Sequence, residues 1–317
     1  MTDATDTAQP DTGAAGAGVH AAGEVAPRKR WRVLRHFLRR PLTVAAAVLL
    51  GTLLVAAILA PVIAPQNPYD LKSLESANSM LPPVWLEGGR MPFVLGTDIQ
   101  GRDVLSTILY GSRTSFIVGV AVVALAGSIG GFIGLIAGYF GGWLDAAMMR
   151  VGDTLLSFST TLIAMLLLGL FKESSVILVI VAITVIDWVQ YARTMRGSVL
   201  AVREEDYVTA ARAVGAGQAR IIRKHVLPNA MSPLLVIAAV NFAVVVMLEA
   251  TLSFLGVGVP ITQPSLGMMI SIGKDYIYSG AWHLIVFPGV VLAAIVFSLN
   301  LIADWLRDEF DPRSEKT

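Results

Sequence analysis

Six long apolar stretches separated by polar segments dominate the chain. The first runs over residues 42–64 without a charge. At 1.5 Å per residue it is long enough to cross a hydrocarbon core of about 30 Å. On the same criterion five more helical spans are predicted, at roughly 116–139, 155–171, 175–191, 233–254 and 282–303. The third and fourth are short, and only Lys172, Glu173 and Ser174 separate them, which predicts a tight helical hairpin. The first span has a rival reading as a cleaved signal segment. It follows a leader of 40 residues and exceeds the usual apolar core of such signals, about 7–15 residues, so it is read as an uncleaved anchor. The pattern predicts an all-α membrane protein with six transmembrane helices.

Composition sharpens this. Of 317 residues, 55% are hydrophobic and 15% charged, and none is cysteine. Mean hydropathy is +0.68. Soluble domains carry about 25% charged residues, so an ordinary soluble enzyme is excluded. The lack of cysteine excludes a disulfide scaffold, a thiolate metal site and a cysteine nucleophile. Residues 1–27 hold almost no large apolar side chain and predict a disordered tail. Residues 28–64 read as a basic flank followed by the first span. Residues 65–110, with five prolines, form one polar loop, and 111–303 form the core of helices 2–6. Within that core lie two polar segments, 192–232 and a Gly- and Pro-rich connection at 255–281. Residues 304–317 are a tail.

The net charge is only +1, which gives nucleic-acid binding no support. Its distribution is more telling. With the amino terminus inside, segments 1–40, 140–154, 192–232 and 304–317 hold 18 of the 24 Lys and Arg residues, and the opposite side holds 6. The positive-inside rule therefore places both termini in the cytoplasm.

The inside segment is the most informative. Glu204, Glu205 and Asp206 suit the first turn of a helix, where acids complement the dipole. Ala210, Ala211 and Ala213 give it a small-residue surface, and Gly215 has the character of a helix stop. A second, basic helical stretch runs over 218–225, and Leu227-Pro228 breaks it before helix 5. A small Ala-rich face suits close approach by a partner. It suits a membrane surface poorly, since that favours Trp, Phe or Leu.

Other candidates are weighed beside it. Gly127, Gly130, Gly131, Gly134 and Gly138 lie at spacings that let helices approach closely. Asp187 lies close to Arg193 and predicts a structural pair. Glu249 and Asn241 are the candidates for a translocation pathway, with bracing as the alternative for Glu249; intramembrane acids are functional candidates by default. Asp98 and Asp103 in GTDIQGRD predict capping and bracing of helix 2. The four histidines offer no metal-ligand spacing. No G-x-x-x-x-G-K-[ST] occurs: Gly273-Lys274-Asp275 has Met268 where the first glycine is required. No nucleophile-elbow serine is present.

The segment DYVTAARAVGA, followed by HVLPNA, resembles the cytoplasmic loop of bacterial ABC-importer permeases. Ala210, Ala211, Gly215, Leu227 and Pro228 match its pattern, while Thr209 and His225 stand where Glu and Ile are usual. The stretches at 95–116, 140–153, 248–259 and 301–312 are similar to the dipeptide and oligopeptide branch, specifically its C-type permease. A proline common near 159–160 is absent, and Leu266-Gly267 stands where Trp-Gly is common. The resemblance implies a type I ABC importer permease fold and a non-catalytic subunit that carries dipeptides or oligopeptides into the cytoplasm. It implies a coupling helix at 203–215, with Glu205, Asp206, Tyr207, Ala210, Ala211 and Gly215, and then Leu227 and Pro228, at the ATPase contact. The implied partners are a second, B-type permease, cytoplasmic ATPases, an extracytoplasmic peptide-binding protein and membrane lipid. No cofactor is expected on this chain, and ATP and Mg belong to the ATPases. Similar permeases handle nickel chelates and haem, which remain alternatives. An ion-coupled secondary transporter is a further one, disfavoured because no inverted repeat is visible.

Overall fold

The computed structural model describes residues 36–70, 78–171 and 175–310. The 1–27 tail, residues 28–35 of the basic flank, Lys72, the 172–174 linker and residues 311–317 lie outside them. The chain divides into a unit of residues 1–39 and a unit of residues 40–317. In the first, the described residues 36–38 form a helical turn.

The elements are α1 (Pro41–Ile58), α2 (Ala60–Ile63), α3 (Val104–Phe140), α4 (Gly142–Leu156), α5 (Thr160–Phe171), α6 (Val176–Val202), α7 (Asp206–Ala213), α8 (Gln218–Ile221), a π turn (Ile222–Val226), α9 (Leu227–Phe254), α10 (Leu266–Asp275) and α11 (His283–Phe310). No strand forms among the described residues, only an isolated bridge between Thr97 and Asp103. Among the described residues, five helical stretches are long and apolar enough to cross a membrane: α1, α3, α6, the continuous 218–254 run and α11. The expected third span, 155–171, is mostly the 12-residue α5, which follows α4 at a bend of 87°. Together they make a sixth span only if counted as one broken crossing.

Several helices outrun their apolar cores. The 37-residue α3 begins at Val104, a dozen residues before the expected start. Asp103 caps it, accepting from the Ser106 amide at 2.8 Å and the Ser106 hydroxyl at 2.6 Å. Thr107 and Thr114 donate back to carbonyls four residues earlier, which hides their hydroxyls within the helix. The polar first turns are thus satisfied and buried, so low hydropathy there marks no boundary. Likewise α6 continues past Tyr191 to Val202. The expected break before helix 5 is absent. Pro228 lacks an N–H, and its ring would clash with a carbonyl four residues back in a regular helix. The π turn widens the helix at that point, with the Leu227 amide donating to Ile222, five residues back. The 255–281 connection holds the ten-residue α10, with Leu266, Gly267, Met268 and Met269 buried.

Glycine sets the tightest contact. A Cβ on Gly130 would run into the Trp188 carbonyl, one on Gly134 into the Ala192 carbonyl, and one on Gly138 would come within 3.0 Å of the Arg196 carbonyl. These positions let α3 and α6 touch backbone to backbone. Gly131 faces the Leu234 side chain of α9 instead. Around this pair, one apolar cluster joins α1, α3, α9, α10 and α11 through Ala57, Phe116, Val246, Leu266 and Ile295. A second joins α3, α5, α6 and α9 through Val118, Val122, Leu168, Ile183 and Leu252. Outward faces stay apolar: Val48, Leu166, Leu170, Met247 and Val290 are all exposed, as a lipid-facing surface requires.

Gly134→Val should overpack the α3–α6 contact and cost about 1–3 kcal/mol. Gly169→Val, at a position with open space, should cost far less. Thermal melting of the detergent-solubilised protein compares the two.

Candidate functional site

The site is built from the end of α6 outward. Three arginines on or just beyond this helix reach sideways. Arg193 pairs with Asp153 on α4. Arg196 grips Asp145 on α4 with two parallel bonds of 2.5 and 2.6 Å, a fork geometry that lysine cannot reproduce. Arg203 donates to the carbonyls of Gly138 at 2.9 Å and Tyr139 at 3.5 Å, at the end of α3. A cation there satisfies carbonyls that have no helical partner and complements the negative end of the dipole. The expected pairing of Asp187 with Arg193 is therefore corrected: Arg193 is taken by Asp153, and Asp187 lies deeper, against Asn241.

On this base sits α7. Its amino end follows Glu205, which occupies the cap position without a side-chain bond, and Asp206 supplies the acid of the first turn. Glu204 falls before the helix and pairs with Arg203 at 3.0 Å. At the other end, Gly215 has φ +85. The Gly215 amide donates to the Arg212 carbonyl at 3.0 Å, and the Ala216 amide to the Ala211 carbonyl at 3.1 Å. These two bonds form a Schellman stop, which needs a left-handed residue where glycine stands. Val208 anchors the helix. It has no exposed surface and packs with Met195 and Val199 of α6, Ile221, Val226 and Ala230. The opposite side is open: Tyr207, Ala210 and Val214 are exposed, Val214 at 89%. The Tyr207 ring lies 6.3 Å from that of His225, in the π turn. Leu227 packs beneath α7, and Pro228 is exposed.

The structure thus gathers Glu205, Asp206, Tyr207, Ala210, Ala211, Gly215, Leu227 and Pro228 at one end of the helical bundle. The sequence pattern missed the anchor Val208 and the supporting arginines. Val208 has a local signal, a lone large apolar residue on an Ala-rich helix. Arg193 and Arg196 have none, because their acids lie 40 and 51 residues away, and neither does the reach of Arg203 to carbonyls of α3.

Glu249 and Asn241 lie elsewhere, inside the bundle. Asn241 donates to Asp187 at 3.5 Å, linking α9 to α6. Its exposure is 3%. Glu249 has none. One of its oxygens accepts from Ser115 of α3 at 2.8 Å, and the other from Ser253 and Ser265, both at 2.9 Å. Only Ser253, one turn along the same helix, was legible locally as a partner.

At the other end of the bundle the GTDIQGRD segment folds on itself. Asp98 accepts from the amides of Gln100 and Arg102, each at 2.8 Å. Burial raises its pKa above the ordinary carboxylate value, while these amides and the Arg102 charge pull it back. Arg102 reaches across to the Ile261 carbonyl at 3.3 Å. Both acids therefore hold loops and a helix start. Among the described residues no cluster of metal-ligating side chains forms.

Residues 130–316 match the family described as binding-protein-dependent transport system inner membrane component. Residues 29–83 match the N-terminal TM domain of oligopeptide transport permease C. The dipeptide transport system permease protein DppC of Haemophilus influenzae is 37% identical over 256 residues, covering 81% of this chain and 85% of the relative. The oligopeptide transport system permease protein OppC of Mycobacterium bovis is 35% identical over 287 residues, covering 90% and 95%. A crystal structure of an amino acid ABC transporter with histidines shares the fold, with a TM-score of 0.50, 15% identity, and coverage of 62% of this chain and 91% of that one.

Gly215→Ala should strain the Schellman stop and cost about 1 kcal/mol locally. Hydrogen exchange should then speed up for amides 209–216 while those of α6 remain protected.

Proposed function

The chain belongs to the family of binding-protein-dependent transport system inner membrane components, and from that premise we propose that it is the permease subunit of an ATP-driven peptide importer. It is a multi-pass membrane protein, and its relatives are named for dipeptide and oligopeptide transport. The finer reading is ours. The bent α4–α5 pair contributes one crossing through its α5 arm, with α4 on the inner side beside Arg193 and Arg196, which makes six, with both termini in the cytoplasm. The 18-to-6 partition of Lys and Arg supports this orientation.

The observation that carries the mechanism is α7. It is a short helix, stopped by a Schellman turn, pinned underneath by Val208 and open on its small-residue face. A partner seated on that face would push against a firm base, because Arg196 and Arg203 tie the underlying α6 to α4 and α3. We assign this face to a cytoplasmic ATPase subunit, whose closure on ATP and Mg would move α7 as a lever. Hydrolysis is assigned to that partner, since this chain has no phosphate-binding loop sequence. A second permease would complete the pathway, and an extracytoplasmic binding protein would deliver the peptide.

Ala210→Arg places bulk on the open face without disturbing Val208. It should abolish co-purification of the ATPase and lower ATP-driven peptide uptake at least about tenfold, the order expected when a packed interface gains an unpaired buried charge. Membrane insertion should be unchanged. An Ala210→Arg complex that retains the ATPase at wild-type stoichiometry and transports normally would remove α7 from the coupling role. Uptake in vesicles that follows a proton gradient rather than ATP would remove the importer reading itself.

A further inference from the structure

We propose that Glu249 is a positioning residue that latches α10 to both α3 and α9, so that the three elements move as one body during transport. The proposal rests on the importer reading for what the movement accomplishes, and on geometry alone for the latch. The carboxyl is wholly buried, and its three hydroxyl partners come from three separate elements. Ser115 is on α3, Ser253 is on α9, and Ser265 is the residue immediately before α10. Ser253 in turn accepts from the Val259 amide at 3.3 Å, which draws in the loop leading to α10. Among the described residues no Lys, Arg or His forms an ion pair with Glu249.

A second, independent feature lies at the same place. A Cβ on Gly267 would run into the Ala250 carbonyl of α9, and one on Gly111 would lie 3.2 Å from the Leu266 amide nitrogen. The first turn of α10 therefore presses its backbone against both helices, beside the carboxyl that bonds to all three. The far end of α10 is held as well. The Ser271 hydroxyl donates to the Phe254 carbonyl at 2.6 Å, and Lys274 stands 5.0 Å over the Phe254 ring. Both ends of α10 are thus tied to α9. A residue that met the cationic end of a peptide would require a negative charge. A latch requires only hydrogen bonds in the right places. Serine hydroxyls both donate and accept, so an isosteric amide would fit: its oxygen would take Ser253 and Ser265, and its nitrogen would donate to Ser115.

The test uses the complete importer in proteoliposomes. The chain has no cysteine, so Leu266→Cys, at a position with no exposed surface, introduces a single reporter thiol on this subunit. It is probed with a membrane-impermeant maleimide with and without ATP and vanadate. With Glu249→Gln, peptide transported per ATP should stay within about twofold of wild type, and the thiol should stay protected in every state. With Glu249→Ala, that ratio should fall about tenfold, the scale of leaving buried hydroxyls without their partner, and the thiol should label. Ser265→Ala removes one donor and should give an intermediate loss; it decides the matter if Glu249→Ala does not assemble. Protection of the thiol in Glu249→Ala, or in Ser265→Ala if that variant must stand in, would overturn the latch. So would Glu249→Gln losing transport as severely as Glu249→Ala while its thiol stays protected, since that result assigns the role to charge. A wild-type complex without peptide-driven ATP hydrolysis would instead refute the importer reading, and the labelling result would still judge the latch.

Discussion

The contact between α3 and α6 comes first in the physical order. In lipid no hydrophobic gradient drives helices together, so association depends on close packing and on polar groups that find partners. Gly130, Gly134 and Gly138 bring the α3 backbone against the carbonyls of Trp188, Ala192 and Arg196. At that separation Arg203, just past the end of α6, reaches the last carbonyls of α3. Bulkier residues at the three glycine positions would part the helices and take Arg203 out of range. The platform under α7 would then be lost, whatever the sequence of α7 itself.

The two ends of the bundle use different means. At the α7 end, charges on side chains do the joining: Arg193, Arg196 and Arg203 tie α6 to α4 and α3. These groups sit partly in water, where each pair is worth little by itself. Their value lies in direction, since all three fix neighbours to one helix. At the α10 end the joining groups are buried and almost all neutral. Three serine hydroxyls converge on Glu249, and glycine lets backbones touch. The first arrangement can tolerate solvent and a visiting partner. The second excludes both and gives stiffness.

Much of this was legible in the chain. Five of the six apolar runs are long helices in the expected order, and the Ala-rich helix with its glycine stop lies within a few residues of where the pattern predicts it. Helix lengths were not legible, because buried hydroxyls in α3 and arginines in α6 continue helices through sequence that reads as polar. Satisfied hydrogen bonds, invisible to hydropathy, decide those boundaries. The 255–281 connection reads from its glycines and prolines as a run of turns, which suits a binding loop and a mere link equally. Gly267 instead serves close packing, a use that composition cannot distinguish from turning.

By itself the sequence determined what kind of molecule this is. Long uncharged runs must leave water, so membrane residence follows from local pattern, and so does the Ala-rich helical segment with its glycine stop. Tertiary structure decided who holds whom. Asp145 meets Arg196 across 51 residues, and Ser115 meets Glu249 across 134. No local rule pairs them. Only the packing of α4 against α6, and of α3 against α9, brings those groups within bonding distance, and hydrogen bonds act over that distance alone.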